Sequence, residues 1–200
     1  TFSLLQGLRV VELGESVSAP YCSKLLADMG AEVVKIERPG VGDQAREYGP
    51  FLNDQPHHER SGLFLYLNAN KQGVTLDLET PTGRGILGEL LAKSQVFVHT
   101  LPPLEMDRLG VGYESLRSHN NQLVMASITP FGLTGPYRNY KAYDINLAAA
   151  GGICEGLGSP DREPLTFGTP EVGYFAAMAA ASSIVIALLY GQGQHIDIAE

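Results

Sequence analysis

The sequence predicts an α/β domain of three layers with a mostly parallel sheet, and three observations carry that reading. Short β-branched runs alternate with stretches apolar at helical spacing along the whole chain. The first two such runs, 8–13 and 32–37, are separated by one helix-length segment, which requires parallel strands joined by a right-handed crossover. The composition, 44% hydrophobic and 18% charged over 200 residues, suits one packed core.

Each element has its own signal. Leu8 to Leu13 (LRVVEL) reads as a strand and Gly14 to Ala19 as a small polar loop. Pro20 suits the first turn of a helix and Gly30 its end, with Tyr21, Leu25 and Met29 at helical spacing between them. Glu32 to Glu37 is the second strand. Val74 to Leu78 reads as the third, followed by Thr80 and Pro81 capping a helix that carries Ile86, Leu90 and Leu91. Gln95 to Val98 and Leu123 to Ile128 are further strands, with a short helix at Tyr113 to Arg117. A Gly/Pro-rich loop covers Thr129 to Tyr137, then Asp144 to Ala150 and Val172 to Leu189 read as helices, and His195 to Ile198 as a closing strand. This alternation is Rossmann-like, and residues 1–200 form one domain. Pro39 to Arg60 lacks periodicity, as a binding loop or an excursion over a partner does.

The bulk properties exclude several functions. A net charge of -8 opposes nonspecific binding to nucleic acid or an anionic membrane. Two cysteines, Cys22 and Cys154, are too few for a disulfide framework and fit a reducing, cytoplasmic compartment. Phe175 to Leu189 is too short and too alanine-rich for a membrane span and reads as a buried helix. His57, His58, His99, His119 and His195 show no metal spacing, so no metal is expected.

The turn Gly14 to Pro20 lacks G-x-G-x-x-G, so the dinucleotide fingerprint fails. Glu37 ends the second strand where an acid could grip a ribose hydroxyl. Arg38 follows it, where an arginine can accommodate a phosphate on the adenosine ribose or stand as a solvated loop cation. Lys71 and Lys141 could meet a pyrophosphate or be surface lysines. Arg108 could bind ligand or close a local helix ion pair.

Several stretches, in order, resemble family III (CaiB/BaiF-type) coenzyme A transferases. They are Leu5 to Leu13, Ala19-Pro20-Tyr21, Leu25 to Gly40, Asn70-Lys71 with Val74 to Leu78, Arg108 to Tyr113, Phe131 to Tyr137, Ala142-Tyr143-Asp144, and Gly191 to Ile198. The resemblance implies the N-terminal Rossmann-like domain of an interlocked, ring-like dimer, part of a chain about twice this long. It implies transfer of CoA from an acyl-CoA to a carboxylic acid through an aspartyl anhydride and an aspartyl-CoA thioester. It also implies CoA contacts at Arg38, Leu76, Arg108 and Lys141, with Tyr143 and Asp144 near the reacting thioester.

Two positions depart from the family pattern. Thr100-Leu101 stands where the family carries Asn-Phe near the adenine, which keeps an apolar wall and loses an amide. Gly173 falls at the position expected for the catalytic aspartate, in Gly168 to Gly173. Glu171 is the nearest carboxylate, but two residues along a helix is roughly 200° around its axis, which points Glu171 elsewhere. Three readings follow: a transferase half lacking the nucleophile, paired with a fused or separate second half; an active transferase using another carboxylate such as Glu171; or a non-catalytic CoA- or nucleotide-binding module.

Overall fold

The computed structural model describes residues 3–200. Six strands form a single sheet: β1 (Arg9–Leu13), β2 (Glu32–Glu37), β3 (Lys71–Thr75), β4 (Val96–His99), β5 (Val124–Thr129) and β6 (His195–Ala199). Their order is β3-β2-β1-β4-β5-β6 and every pairing is parallel. Chain order reverses between β1 and β4, which opens a crevice beyond the carboxyl ends of those two strands.

Eight α-helices connect the strands: α1 (Ser18–Asp28), α2 (Gly62–Leu67), α3 (Pro81–Ala92), α4 (Pro103–Leu109), α5 (Tyr113–Arg117), α6 (Asp144–Ala150), α7 (Ile153–Gly156) and α8 (Glu171–Tyr190). The strands are apolar because both faces are covered: all four residues of β4 and all six of β5 are buried. One face of the sheet packs under α1 and α8 through Val10, Leu26, Val98, Ala126 and Ile184. The other packs under α3, α4 and α5 through Val11, Phe97, Leu87, Met106, Leu116 and Met125.

The third strand lies three residues earlier than the Val74 to Leu78 expected from sequence. It begins at Lys71 because Val33 pairs with Lys71 and Glu37 with Thr75, so a lysine and three exposed residues occupy this edge strand. Helix α4 was not placed as an element from sequence, although a proline at N1 suits a helix start and the helix ion pair expected of Arg108 forms with Glu105 at 3.8 Å. The stretch 39–60 is mostly irregular but holds two 3₁₀ turns, Gln44–Glu47 and Leu52–Asp54.

Helix α8 runs 20 residues, longer than the sequence suggested, and is long and apolar enough by length and composition alone to cross a bilayer. Here Ala176, Ala177, Ala180 and Ile184 bury one of its faces against α1 and the sheet, while Phe175, Met178, Ile186 and Leu189 lie exposed on another.

Candidate functional site

The crevice between the carboxyl ends of β1 and β4 opens into a cavity of about 1460 Å³. Its floor is the turn Gly14 to Ser18, which leads from β1 into α1. Gly14 permits this turn: a Cβ there would overlap that of Ala19. Thr100 to Pro102 after β4, Arg38 to Gln44 after β2, Leu76 to Glu79 after β3 and Gly168 to Pro170 before α8 supply the walls.

A buried ionic cluster holds the floor. Lys35 Nζ lies 2.7 Å from Glu12 Oε1, 2.7 Å from Asp43 Oδ2 and 2.9 Å from the Gly14 carbonyl oxygen. Lys71 Nζ donates to Glu12 Oε2 at 2.8 Å and to the Pro20 carbonyl at 2.7 Å. Glu12 also accepts from the Ser23 hydroxyl at 2.6 Å. Burial works against ionised Glu12, but Lys35 and Lys71 outweigh it and hold its carboxyl below the usual range. Burial likewise opposes the Lys35 cation, yet Glu12 and Asp43 hold its ammonium above its ordinary value. For Lys71 burial prevails and its ammonium is pushed down to about 8. Lys71 is therefore committed to the cluster and is neither a surface lysine nor a pyrophosphate ligand. Its neighbour Asn70, which turns into β3 at a φ of 64°, gave no sign of this.

Glu37 is committed as well. Both its oxygens accept from Arg46, at 2.8 and 2.9 Å, and one also accepts from the Asp43 N–H, so it is not free to grip a ribose. Hydrogen bonding to Glu37 raises the Arg46 guanidinium above its ordinary value.

The residues expected to contact CoA divide into two groups. Arg38, Leu76, Thr100, Leu101, Tyr143 and Asp144 all line the cavity, as does Gly173. Arg108 and Lys141 do not: Arg108 forms a two-pronged pair with Glu79, at 2.6 and 2.7 Å, and Lys141 is exposed beside Ala142, which does line the cavity. Arg38 is the one cation on the wall among the described residues, and it is paired with Glu15 at 2.7 Å. Thr100 Oγ1 accepts the Glu15 N–H at 3.2 Å, which ties the β4 loop to the β1 turn. Tyr143 is 76% exposed at the rim. Asp144 Oδ1 accepts the Val172 N–H at 3.2 Å, joining α6 to the start of α8, and burial raises its carboxyl, with Glu171 adding to the shift.

Gly173 lies in the first turn of α8 where it meets α1. A Cβ there would come 3.2 Å from Val17 Cβ and 3.6 Å from the Ser18 nitrogen. Its lack of a side chain thus permits close helix packing at the cavity edge. Glu171 is bonded to the Thr169 hydroxyl and is not part of the wall, whereas Thr169 is.

The sequence reading missed two groups. Asp43 is buried and braces the floor turn. Glu200 follows β6 and lines the cavity, with Ser18 near its carboxyl. Burial raises its carboxyl, the Ser18 contact opposes that rise, and Asp144 adds to it. The parallel ladder signals Glu200, since one more residue of β6 must emerge at the carboxyl edge. Beneath the cavity, the Leu101 N–H donates to His99 Nδ1 at 3.1 Å, and Ser127 Oγ lies 2.6 Å from His99 Nε2 and 2.8 Å from His195 Nε2. No cluster suited to a metal ion occurs among the described residues.

Comparison with known proteins agrees with this geometry. The model of CoA-transferase family III matches residues 5–200. The chain is 35% identical over 201 residues to the succinate–glutarate CoA-transferase of Agrobacterium fabrum, covering 98% of this chain and 50% of that protein. It is 36% identical to the acetyl-CoA:oxalate CoA-transferase of Acetobacter aceti, over 96% of this chain and 49% of that one. The crystal structure of a CaiB/BaiF family protein from Brucella suis superposes with a TM-score of 0.91 at 35% identity, over 100% of this chain and 53% of that chain. The chain spans about half the length of these relatives. A parallel sheet in the order β3-β2-β1-β4-β5-β6, a crevice at its reversal point and a family match along almost every residue converge: this chain belongs to CoA-transferase family III.

Proposed function

We propose that this chain is the CoA-binding domain of an enzyme that moves CoA from an acyl-CoA to a carboxylic acid, and that Gly168 to Gly173 contributes no nucleophilic aspartate to it. The observation that carries this is the cavity of about 1460 Å³. It is lined by Arg38, Leu76, Thr100 and Leu101 from the loops after β2, β3 and β4 and by Tyr143, Asp144 and Gly173 from the starts of α6 and α8, two groups suited to a nucleotide end and a thioester end. Arg38 receives a phosphate of CoA, the apolar Leu76 and Leu101 flank the nucleotide, and Arg108 and Lys141 reach in from outside the wall as the ligand arrives. No metal takes part: CoA and acyl-CoA are substrates.

The remaining half of the enzyme comes from the rest of a longer chain or from a partner chain in an interlocked dimer. The half-length match supports this. The buried free thiols of Cys22 and Cys154 support a reducing, cytoplasmic setting.

Isothermal calorimetry on the complete polypeptide tests the reading, followed by a transfer assay with labelled CoA. Succinyl-CoA and acetyl-CoA serve as donors, with oxalate and glutarate as acceptors. Binding of CoA with transfer to at least one acid is expected. Absence of CoA binding overturns the proposal.

A further inference from the structure

A line of hydrogen bonds runs from the cavity wall to the outer edge of the sheet. Leu101, on the wall, donates its N–H to His99 Nδ1 at 3.1 Å. His99 Nε2 lies 2.6 Å from Ser127 Oγ, and Ser127 Oγ lies 2.8 Å from His195 Nε2. The sheet builds this line, because His99 and Ser127 are register partners on β4 and β5, and β6 brings His195 alongside. His99 and Ser127 are buried. His195 is exposed on edge strand β6, with its ring stacked on that of Tyr113 at 5.1 Å.

The first member fixes the direction of every bond that follows. A backbone N–H only donates, so His99 Nδ1 carries no proton. Burial, with His195 beside it, pushes the His99 imidazole down to about 3, so the ring is neutral near pH 7. Its one proton therefore sits on Nε2 and is donated to Ser127 Oγ. The hydroxyl proton of Ser127 is left for His195 Nε2, which must be bare to accept it. The line is complete only while His195 is neutral.

A proton on His195 Nε2 turns that atom from acceptor to donor. Ser127 then accepts from His195, and its own proton has two destinations. It can lie unpaired in a buried site, since His99 and His195 are the partners of this hydroxyl among the described residues. Or it can point to His99 Nε2, once His99 has exchanged its Nε2 proton for one on Nδ1. That second state sets His99 Nδ1–H against the Leu101 N–H, donor facing donor, and pushes the wall segment away. Net uptake is one proton, held by His195. Burial of its ring holds the His195 imidazole below its ordinary value, while Asp197 on the same strand and Glu114 on α5 pull the other way. Tyr113 on α5, Ser127 on β5 and His99 on β4 are the other groups that face it.

We propose that His195 and Ser127 are positioning residues of the cavity wall: a proton taken up by His195 is felt through Ser127 and His99 at Leu101 and loosens the wall. The inference takes its ligand from the CoA-binding reading above, in which Leu101 flanks the nucleotide.

The test uses the complete polypeptide, labelled with ¹⁵N-leucine and ¹³C-histidine, between about pH 8 and pH 5. In the native protein the Leu101 amide resonance is expected to shift with the same midpoint as the His195 ring, below the ordinary histidine value of 6.5. Calorimetry follows affinity for dephospho-CoA, which has no phosphate monoester to titrate in this range. Affinity should fall by about three- to tenfold across the same interval, the worth of one neutral hydrogen bond. His195→Gln keeps an acceptor for Ser127 but takes up no proton, and should flatten both curves. Ser127→Ala leaves His195 titrating and should silence Leu101, which a merely structural serine would not do. A Leu101 amide that stays still while His195 titrates, or a pH dependence that survives His195→Gln, overturns the inference and leaves CoA binding intact. A Leu101 amide that follows His195 in a protein that binds neither CoA nor dephospho-CoA upholds the hydrogen-bond line and overturns the parent reading.

Discussion

Asp43 holds Ser16 in place: its Oδ1 accepts the Ser16 N–H at 2.9 Å while its Oδ2 lies 2.7 Å from Lys35 Nζ. Ser16 has a φ of 68°, a left-handed conformation that a serine adopts only when its surroundings compel it. The same carboxylate accepts the Ala45 N–H at 2.7 Å, so one buried side chain fixes both the turn after β1 and the loop after β2. Asp43→Ala leaves Lys35 with one carboxylate fewer in a dry site. The expected loss is about 3–5 kcal/mol, measured by urea unfolding, because removing one partner strands a buried charge. Asp43→Asn keeps an acceptor for Ser16 and should lose less. Equal losses for the two variants would show that the charge is not what matters.

His99 gives stability a pH dependence of known sign. Burial, helped by the nearby His195, pushes its imidazole down to about 3 from an ordinary value of 6.5. Between those limits the unfolded chain binds a proton that the folded chain refuses, so stability rises with pH across the interval and falls as acid is added. Above pH 6.5 the contribution is complete. The slope added by this residue should approach 1.4 kcal/mol per pH unit near the middle of the window. Unfolding titrations of native protein and His99→Asn between pH 6.5 and 4 should diverge by that slope, and parallel curves would refute it.

Gly173→Ala should destabilise the protein. Alanine in a helix ordinarily gains about 0.5–1 kcal/mol over glycine. Here its methyl would press on Val17 at 3.2 Å, where α1 and α8 cross. An overpacked contact of this kind costs about 1–3 kcal/mol. A rise in melting temperature would mean that the helices yield readily and that the glycine is not needed for packing.

Arg38→Ala should weaken CoA by about tenfold, a charge-assisted hydrogen bond's worth at a half-exposed position. Dephospho-CoA, which lacks the ribose phosphate, should lose less. Glu15→Gln should do the reverse and tighten CoA, because it releases Arg38 from its 2.7 Å pair. Calorimetry with both ligands decides, and equal losses for CoA and dephospho-CoA on Arg38→Ala would exclude that contact.

Much of the fold was legible in sequence because both strands and helices carry their burial in their periodicity. Val10, Val11, Val33 and Ile36 announce β1 and β2, and the short crossover between them leaves only a parallel arrangement. Edge strand β3 was misplaced because Lys71 and Gln72 obtain their place from pairing with Val33 and Val34, not from apolar character. Within the site, the turn after β1, Arg38 and the Thr100-Leu101 wall could be placed from their position after strands. Asp43 and Lys71 could not, since their roles exist only when Glu12 and Ser16 meet residues more than twenty positions away in sequence. Glu37 followed the logic of a ribose-gripping acid, yet Arg46, nine residues on, claims it.

The cavity owes its walls to the loops that follow β1, β2, β3 and β4, while the sheet beneath is fixed by valines, isoleucines and one enclosed ionic knot. Residues such as Thr100, Leu101 and Thr169 can be exchanged without disturbing a single strand pairing. A scaffold divided in this way lets ligand preference drift while folding stays intact. Grafting the 100–102 and 168–170 segments from another member onto this sheet is therefore expected to reshape the cavity wall while the sheet folds as before.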